Sequence, residues 1–477
     1  MLRFLPETIL IVFGTLLMVL EPLTADDNKD RLGMLGLLGL LAAAFGTAVA
    51  QANPGTAFQS MLIVDGFATF FRYLVIGVGA LTILASFAYL KREQNANGEY
   101  YPLVLFCVAG QCVMVSANEL IMLFIGLEIS SIASYVLAGY LRDDKRNNEA
   151  ALKYFLLGSF ATAFLLYGIA WMYGVTGTTN LADIRRVLTN REIPASIGLV
   201  GTSAALMFVG FAFKVSAAPF QVWAPDVYQG APAPVSAFLS AGPKAAAFAV
   251  FVRVFMTAFE PIASKWEPLV WASALATMVI GNFAALLQTN IKRLLAYSSI
   301  AHAGYVMVAI TTHSQIGTEA VMFYMVAYAF MNIGAFAVVT HFARQRERFV
   351  AIDDLAGLGV KQPVTAALLT IFLLSLIGVP LTAGFFGKFY IFKAALDAQM
   401  FKLTILGLLN SAVGAYYYLR IIVVMYFKEP GESMADLQPV APGVAAVLWV
   451  SAVATLVLGI YPSLVLDFAR KSAALIK

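Results

Sequence analysis

Long apolar stretches are the feature that most constrains this chain. Runs of roughly 18 to 25 mostly apolar residues recur along its whole length, and each can span a hydrocarbon core about 30 Å thick. Of the 477 residues, 61% are hydrophobic and only 12% are charged, whereas a typical soluble domain has about 25% charged residues. The sequence therefore predicts an all-α polytopic membrane protein.

The apolar runs predict about 14 transmembrane helices. Helix seven is interrupted near Pro219 and helix twelve near Pro380. The longest connectors have about 20 residues, too few for a soluble domain, so residues 1–477 are expected to form one integral membrane domain. Its expected parts are helices one to three (1–99), a first repeat (100–258), a second repeat (267–428) and a C-terminal helix (429–477).

Two sequence echoes suggest internal repetition. Lys153 opens "KYFLLGS" and Lys292 opens "KRLLAYS", so a serine follows each lysine by six residues. The interrupted helices also occupy matching places in the two halves. Paired broken helices point to inverted repeats around a central ion or substrate site. Chance similarity between hydrophobic segments stays open as the alternative.

The first apolar run, 5–23, contains Glu7 and lacks both a basic leader and a small-residue cleavage site, so a retained helix is expected. Cys107 and Cys112 form no metal or redox motif and are interpreted as small apolar packing residues. Loops on the side opposite the termini carry more Lys and Arg, which predicts termini outside the cytoplasm.

Four ionisable residues lie deep within predicted helices, where each costs about 2.5–3.5 kcal/mol on insertion scales. Glu128 and Lys244 lie near the middle of their helices, and Lys214 and Lys388 flank the two breaks. Their recurrence beside broken backbone favours a functional role. For Arg72, Lys393 and Arg420 the preferred interpretation is structural: an ion pair inside the bundle, or a side chain that reaches the membrane interface. Arg253 fits this structural interpretation and a functional one equally well.

Removal from water changes the proton affinity of these amines and of the carboxylate. Burial disfavours the charged form of either group by up to 3–5 pKa units, and a nearby opposite charge reverses the effect. At 4 Å and an effective dielectric near 20 such a pair gains about 4 kcal/mol, or roughly three pKa units. A lysine whose carboxylate partner moves away can thus release its proton, which an arginine cannot do. His302, deep in helix ten, is either a satisfied core residue or part of a proton relay.

Several common motifs are absent from the sequence. It has no Gly-rich dinucleotide fingerprint, no phosphate-binding loop and no cysteine set for an iron–sulfur cluster. We therefore expect no redox step, no ATP hydrolysis and no bound cofactor in this chain. The net charge of +4 is spread over loops without a basic patch, so a nucleic-acid partner is not expected.

Five segments together resemble the antiporter-like membrane subunits of proton-pumping NADH:quinone oxidoreductase, respiratory complex I. The resemblance is strong over residues 100–430 and extends to the whole chain. Within the family it resembles the N type, because the L type carries a long C-terminal lateral helix and the M type usually has glutamate where Lys388 stands. The segments are "LFIGLEISSIASYVL", "EAALKYFLLGS", "FKVSAAPFQVWAPDVYQGAPAPVSAFLSAGPKAAAF", "NIKRLLAYSSIAHAGYVMV" and "LLSLIGVPLTAGFFGKF".

The resemblance implies 14 helices containing two inverted five-helix repeats, with helices seven and twelve broken. It implies that Glu128 and Lys214 form a switching pair. It further implies that Lys153 and Lys244 connect along the chain and that Lys388 is the exit-side amine, with His302 on the polar axis between them.

The resemblance also implies in which membrane the chain lies and which subunits surround it. The chain would lie in a bacterial inner membrane beside M-type and small membrane subunits of complex I, with NADH, FMN, iron–sulfur clusters and quinone bound by partner subunits. Quinone reduction there would drive proton movement here.

Three alternatives remain at this stage. A subunit of a multi-component Na⁺/H⁺ antiporter shares the motifs of helices seven and eight. A structural scaffold would leave the central lysines without polar neighbours. A transporter of organic solutes would need an aromatic pocket near the breaks, but Phe220, Trp223 and Tyr228 are expected to anchor a loop at the membrane interface instead.

Overall fold

The structure, a computed structural model, describes residues 2–25, 28–93, 97–190, 197–435 and 437–474. In this part of the chain nineteen α-helices form a single bundle. They are α1 Leu5–Leu20, α2 Asp30–Gln51, α3 Gly66–Arg92, α4 Tyr100–Ser116, α5 Leu120–Ala138, α6 Lys145–Thr176, α7 Leu181–Thr189, α8 Ile197–Val215, α9 Trp223–Gly230, α10 Ala233–Arg253, α11 Ala263–Leu286, α12 Ile291–Ile310, α13 Gln315–Phe342, α14 Leu358–Lys361, α15 Pro363–Ile377, α16 Ala383–Asp397, α17 Phe401–Phe427, α18 Pro442–Ile460 and α19 Ser463–Ala473.

The predicted transmembrane helices are confirmed. Among the described residues, 12 helical segments are long and apolar enough to cross a membrane. Two shorter apolar helices, α4 and α15, bring the number of spans to the predicted 14. The seventh span is made of α8 and α9, and the twelfth of α15 and α16.

Several short elements outside the spans, among them the four-residue helix α14, were not predicted. Residues 51–67 contain a short antiparallel hairpin of β1 (Gly55–Ala57) and β2 (Leu62–Val64). Helix α7 occupies the connector after the sixth span, whose residues 191–196 lie outside the described residues. The C-terminal region holds two helices rather than one, because the polar Tyr461–Pro462 step separates α18 from α19. Such short elements lack the long apolar runs on which the prediction rests.

Polar side chains fix where several spans begin. Asp65 accepts a hydrogen bond from Ala68 N at 2.7 Å at the start of α3. Asn290 does the same for Arg293 N at 3.1 Å before α12, and Ser314 caps α13. Such caps satisfy the free N–H groups of a helix start, so the loops that contain them set the ends of the spans.

The centre of the bundle is formed by α10, α12 and α13. In the apolar windows of α10 and α13, 94% of residues are buried inside the protein, and in α12 the share is 89%. The outer helices instead leave large apolar side chains exposed toward the lipid, as at Phe45 and Phe160. Most residues in these windows, polar ones included, are therefore held away from lipid.

Both predicted breaks are present. Helix α8 ends at Val215 and α9 starts eight residues later, while α15 ends at Ile377 and α16 starts at Ala383. Gly378 follows α15 with φ +95°, in the left-handed region that glycine adopts without a steric penalty. The carbonyl groups freed by the breaks bond to side chains inside the protein, as at Phe213 O, which accepts the Trp223 indole N–H at 2.9 Å.

The packing of the two halves is similar, but the similarity between "KYFLLGS" and "KRLLAYS" does not follow the repeat. Helix α4 packs on α5 as α11 packs on α12, and α6 packs on the two pieces of the seventh span as α13 packs on those of the twelfth. The two similar segments that begin at Lys153 and Lys292 lie on α6 and α12, the sixth and tenth spans. A repeat in which the seventh span corresponds to the twelfth requires the sixth to correspond to the eleventh. The similarity of the two segments therefore reflects helix composition only.

Candidate functional site

Lys214 lies at the last turn of α8, just before the first break. Its ammonium donates a hydrogen bond to Ser131 Oγ at 2.7 Å and a longer one to Tyr135 OH at 3.4 Å. The rings of Tyr135, Tyr154 and Phe213 surround it, with centroids 5.3 to 5.6 Å from Nζ. These faces attract a cation but accept no proton, so the hydroxyl groups supply the polar contacts of Lys214.

Glu128 is on α5, three residues before Ser131, and so lies on the same face of that helix. Its Oε1 atom is buried and has no hydrogen-bond partner among the described residues. The predicted partner, Lys214, instead binds Ser131, about one helical turn after Glu128 on α5. Lys214, on α8, thus contacts the face of α5 on which Glu128 lies, but among the described residues the two groups form neither an ion pair nor a hydrogen bond through that oxygen.

A cluster of small polar groups lies beside this site, and it corrects the interpretation of Cys107. The Cys107 thiol is within 3.2 Å of Ser130 Oγ and Ser134 Oγ, and Gln111 Nε2 donates to its sulfur at 3.2 Å. Gln111 Oε1 lies close to Gly242 on α10. Both cysteines are free and buried, but Cys107 makes polar contacts between α4 and α5, whereas only packing was predicted for it.

Lys244 follows Pro243 inside α10 and is almost completely buried. Its ammonium donates to Ser299 Oγ at 2.5 Å and to the Ser299 carbonyl at 3.2 Å, both on α12. The ring of Tyr228 lies 5.9 Å from Nζ. This amine is thus bound to α12 at the centre of the bundle.

A continuous set of hydroxyl and imidazole groups starts next to Ser299. The hydroxyl of Ser298 bonds to that of Tyr418, and Tyr418 OH lies 3.1 Å from His302 Nε2. On the other side of the ring, His302 Nδ1 bonds Tyr324 OH at 2.5 Å. Since both ring nitrogens have hydroxyl partners, the imidazole can take a proton at one nitrogen and release one at the other.

Lys388 lies on α16 beside the second break. Its ammonium donates to the carbonyls of Leu376 and Ile377, at 3.0 and 2.8 Å, and to Ser411 Oγ at 2.8 Å. The ring of Tyr305 is 5.0 Å from Nζ. The break in the twelfth span therefore provides backbone acceptors for this amine, as expected where a helix is unwound within protein.

Tyr305 connects the surroundings of Lys388 with those of His302. Its ring packs edge-on against the imidazole, with centroids 5.6 Å apart. Its hydroxyl accepts from Asn282 Nδ2 at 3.0 Å, and Asn282 Oδ1 accepts from Tyr417 OH at 3.1 Å. The second half of the bundle thus contains a polar region from Lys244 to Lys388.

Lys153 is not part of this buried region. Its side chain is 41% exposed and forms ion pairs with Asp226 and Glu149, each at 2.7 Å. Asp226 also binds Arg293, at 2.6 Å. The structure therefore places Lys153 in a charged group near the end of the bundle, apart from the central amines.

The remaining buried charges match the structural interpretation. Arg72 pairs with Glu7 at 2.7 Å, and neither side chain is exposed. Arg253 pairs with Asp65 at 2.9 Å, which resolves its two interpretations in favour of an ion pair. Lys393 is exposed, and Arg420 donates to the carbonyl of Gln288 at 3.3 Å.

One buried ion pair was missed from the sequence. Lys292 Nζ lies 2.5 Å from Glu347 Oε2, and the lysine side chain is fully buried. From the sequence, Lys292 is a residue of a repeat and a helical neighbour of His302, and Glu347 lies in the arginine-rich segment "ARQRERF". A glutamate flanked by arginines is typical of a solvated loop, so no local signal identified it.

The aromatic residues near the first break were interpreted wrongly. Trp223 and Tyr228 are buried rather than interfacial. Trp223 stacks on Tyr154, with centroids 4.5 Å apart and planes 7° apart. Both side chains fill the bundle between α6 and α9, where they pack against other aromatic rings. Among the described residues, no group of three or more His, Cys, Asp or Glu could hold a metal ion.

Comparison with known proteins gives consistent matches. Residues 117–414 match the family model described as "NADH:quinone oxidoreductase/Mrp antiporter, TM". The NADH-quinone oxidoreductase subunit N 1 of Solibacter usitatus (strain Ellin6076) is 64% identical over 476 residues, which cover 100% of this chain and 98% of that protein.

Two solved structures share the architecture. A chain in respiratory complex I from Thermus thermophilus with bound aureothin has a TM-score of 0.82 and 35% identity, covering 97% of this chain and 98% of that one. A chain of the Mrp complex from Dietzia sp. DQ12-45-1b has a TM-score of 0.85 at 20% identity, covering 99% and 97%, a likeness of fold alone. The chain therefore belongs to the NADH:quinone oxidoreductase/Mrp antiporter family of membrane subunits and, within it, to subunit N of the NADH-quinone oxidoreductases.

Proposed function

We propose that this chain translocates protons as the membrane subunit N of an NADH-quinone oxidoreductase, a translocase in which quinone reduction by partner subunits drives proton movement. One observation carries the mechanism. Lys244, His302 and Lys388 lie in one buried polar region, and each of them is hydrogen-bonded to a serine or tyrosine hydroxyl there. Proton transfer needs donors and acceptors at hydrogen-bond distance, and each of these three residues has one.

In this proposal the two halves have different roles. Glu128 and Lys214 form the switching pair of the first half, and Lys244 connects it to the second. His302 relays protons between the hydroxyl groups on its two nitrogens, and Lys388 is the amine that releases them. The hydroxyl of Ser131, already bonded to Lys214, lies one helical turn from Glu128, so a small shift of α5 against α8 brings carboxylate and amine together.

Lys153 keeps its proposed connecting role at the edge of the bundle. Its charged group with Asp226 and Arg293 joins α6, α9 and α12. The two halves, 100–258 and 267–428, act as the two inverted repeats of the channel, between the N-terminal helices 1–99 and the C-terminal region 429–477.

The assembly supplies the remaining chemistry. NADH, FMN, the iron–sulfur clusters and the quinone bind partner subunits, while M-type and small membrane subunits pack beside this chain in a bacterial inner membrane. The arginine-rich loops face the cytoplasm and the termini face the periplasm, following the excess of Lys and Arg on one side.

The alternatives are less well supported. A Na⁺/H⁺ antiporter subunit has the same fold, but the extensive identity is to subunit N proteins. An inert scaffold would not need polar neighbours around each central lysine, yet Lys214, Lys244 and Lys388 each have at least one hydroxyl partner.

The test is the Lys214→Ala variant in the assembled complex, reconstituted in vesicles without sodium. Proton uptake per electron should fall strongly while NADH oxidation by the peripheral subunits continues. The control is Lys428→Ala, since Lys428 is an exposed lysine paired with Asp353. Wild-type proton transport by an assembled Lys214→Ala complex would refute the proposal.

A further inference from the structure

A second charged site lies at the junction of α9 and α10, away from the central amines. Lys292 Nζ donates to Glu347 Oε2 and to the carbonyl of Ala231, both at 2.5 Å. The other carboxylate oxygen, Oε1, accepts from Tyr89 OH at 3.0 Å and from Ala233 N at 2.7 Å. A residue of the loop after α13 thus caps α10 and neutralises a fully buried lysine.

The backbone of this loop is bent to place Glu347 there. Arg344, Arg346 and Glu347 have φ values of +57°, +56° and +47°, a region that is strained for residues with side chains. The carboxylate of Glu93 on α3 accepts from Arg346 N at 2.9 Å and holds the bend. Strain of this kind persists only where surrounding contacts impose it, which they do on both sides of Glu347.

A polar cavity reaches the pair from the end of the bundle. It has a volume of about 190 Å³ and is bordered by Glu347 together with Arg146, Glu149, Lys153 and Asp226. A buried space of roughly 10–15 Å³ already holds one water molecule when polar partners are present. The cavity therefore has room for several waters, and Glu347 separates them from Lys292.

The pair is surrounded by charges of both signs. Glu347 contacts or faces charged and titratable groups of four elements. They are Tyr89, Arg92 and Glu93 at the end of α3, Asp144 and Arg146 at the start of α6, Asp226 on α9, and Lys292 and Arg293 on α12. Basic and acidic groups balance around the cavity, so a proton there meets no strong net barrier.

Lys292 is also connected to the central region through its own helix. Ser299, the partner of Lys244, follows Lys292 by seven residues on α12, about 10 Å along the axis. Ser236 Oγ bonds the Tyr228 carbonyl at 2.8 Å and lies 3.4 Å from the Ala231 carbonyl that Lys292 binds. Tyr228, whose carbonyl Ser236 binds, has its ring 5.9 Å from Lys244 Nζ, so the surroundings of the pair and of Lys244 share this residue.

We propose that Glu347 is a proton-access residue, which takes protons from water in this cavity and delivers them to Lys292. A hydronium ion gives its proton to a carboxylate oxygen of Glu347 and becomes water. When Lys292 has released a proton toward the interior, the neutral acid reprotonates the amine and becomes carboxylate again. The inference rests on the proposed proton-translocating function and adds to it the place where protons enter.

The first test uses Glu347→Gln and Glu347→Asp in the assembled complex. Glutamine keeps hydrogen-bonding capacity but cannot carry the proton, so proton uptake should slow roughly 10²-fold or more, the usual contribution of a positioned acid or base. Aspartate should restore part of the rate. Glu432→Gln is the matched control, because Glu432 is 77% exposed and pairs only with Arg348 among the described residues.

The second test blocks the cavity after assembly, so it does not depend on how Glu347 variants fold. Val350 borders the cavity, while the two native cysteines are completely buried. A bulky, water-soluble maleimide should label Val350→Cys from the arginine-rich side only and stop proton uptake, whereas the unlabelled variant pumps normally.

The outcomes separate the two proposals. Wild-type uptake by Glu347→Gln, or by labelled Val350→Cys, overturns the access role if Lys214→Ala has lost pumping in the same vesicles. If Lys214→Ala pumps normally as well, the proposed function itself fails. Loss of uptake in Glu347→Gln with partial recovery in Glu347→Asp supports the access role.

Discussion

The two halves of the bundle hold their lysines in different ways. Lys214 has hydroxyl partners on α5 only and is otherwise surrounded by aromatic rings, and the nearby Glu128 Oε1 has no partner among the described residues. Lys388 instead has three acceptors, two of them carbonyls fixed by the second break. The ammonium group of Lys214 is therefore held loosely, whereas that of Lys388 is held firmly.

This difference suggests a division between a switch and a fixed path. A carboxylate and an amine that approach to 4 Å gain about 4 kcal/mol at an effective dielectric of 20, equivalent to roughly three orders of magnitude in proton affinity. In the first half Glu128 lies one helical turn from Ser131, the hydroxyl that Lys214 binds, and so is placed to make that approach, whereas the described hydrogen-bond partners of Lys388 are carbonyl and hydroxyl groups. The second half has its partners already in place, which suits conduction.

Among substitutions of Lys244, Glu128 and Tyr418, the largest effect is expected from Lys244→Ala, which removes the link between the halves. The variant leaves Ser299 without its charged partner and should slow proton uptake roughly 10²-fold or more. Stopped-flow measurement of proton uptake in vesicles, with Lys402→Ala as the exposed control, checks this. Unchanged uptake would mean that the two halves work independently.

A smaller effect, roughly tenfold, is expected from Glu128→Gln, because the amine then loses the group that switches its proton affinity. The double variant with Lys214→Ala should be no slower than Lys214→Ala alone, since the glutamate acts only through the amine. Comparison of uptake rates in the two single variants and the double variant measures this coupling. Fully additive losses would break the pairing of Glu128 with Lys214.

The smallest effect is expected from Tyr418→Phe, which removes the hydroxyl between Ser298 and His302. A water molecule can bridge the gap nearly as well as a direct hydrogen bond, so uptake should slow only about threefold. Tyr416→Phe, on the exposed face of the same helix, is the control. A loss as large as that of Lys244→Ala would show that the second half is no more robust than the first.

The spans, the two breaks and the central lysines were predictable because their signals are local. A run of apolar residues, a proline within it and a charge at its middle can each be recognised in the sequence without knowledge of the residues that they contact. The hydroxyl groups around His302 were not predictable, since serine and tyrosine are common in membrane helices and their partners lie over a hundred residues away, as for Ser298 and Tyr418.

Other features depend on packing that no local pattern encodes. Glu347 enters the bundle only because α3 and α10 hold its loop. Trp223 looked like an interfacial aromatic and is instead buried against Tyr154. Cys107 looked apolar because its three polar neighbours are serine and glutamine side chains at helical spacings on α4 and α5.

The most direct measurement is the number of protons pumped per electron by the assembled complex carrying Lys214→Arg. Arginine keeps a positive charge at this position but does not release its proton in a protein. If Lys214 works by giving up a proton, the arginine variant should lose pumping as fully as Lys214→Ala, with NADH oxidation retained. A wild-type ratio of protons to electrons in Lys214→Arg would show that the charge alone matters and would contradict proton transfer through this amine.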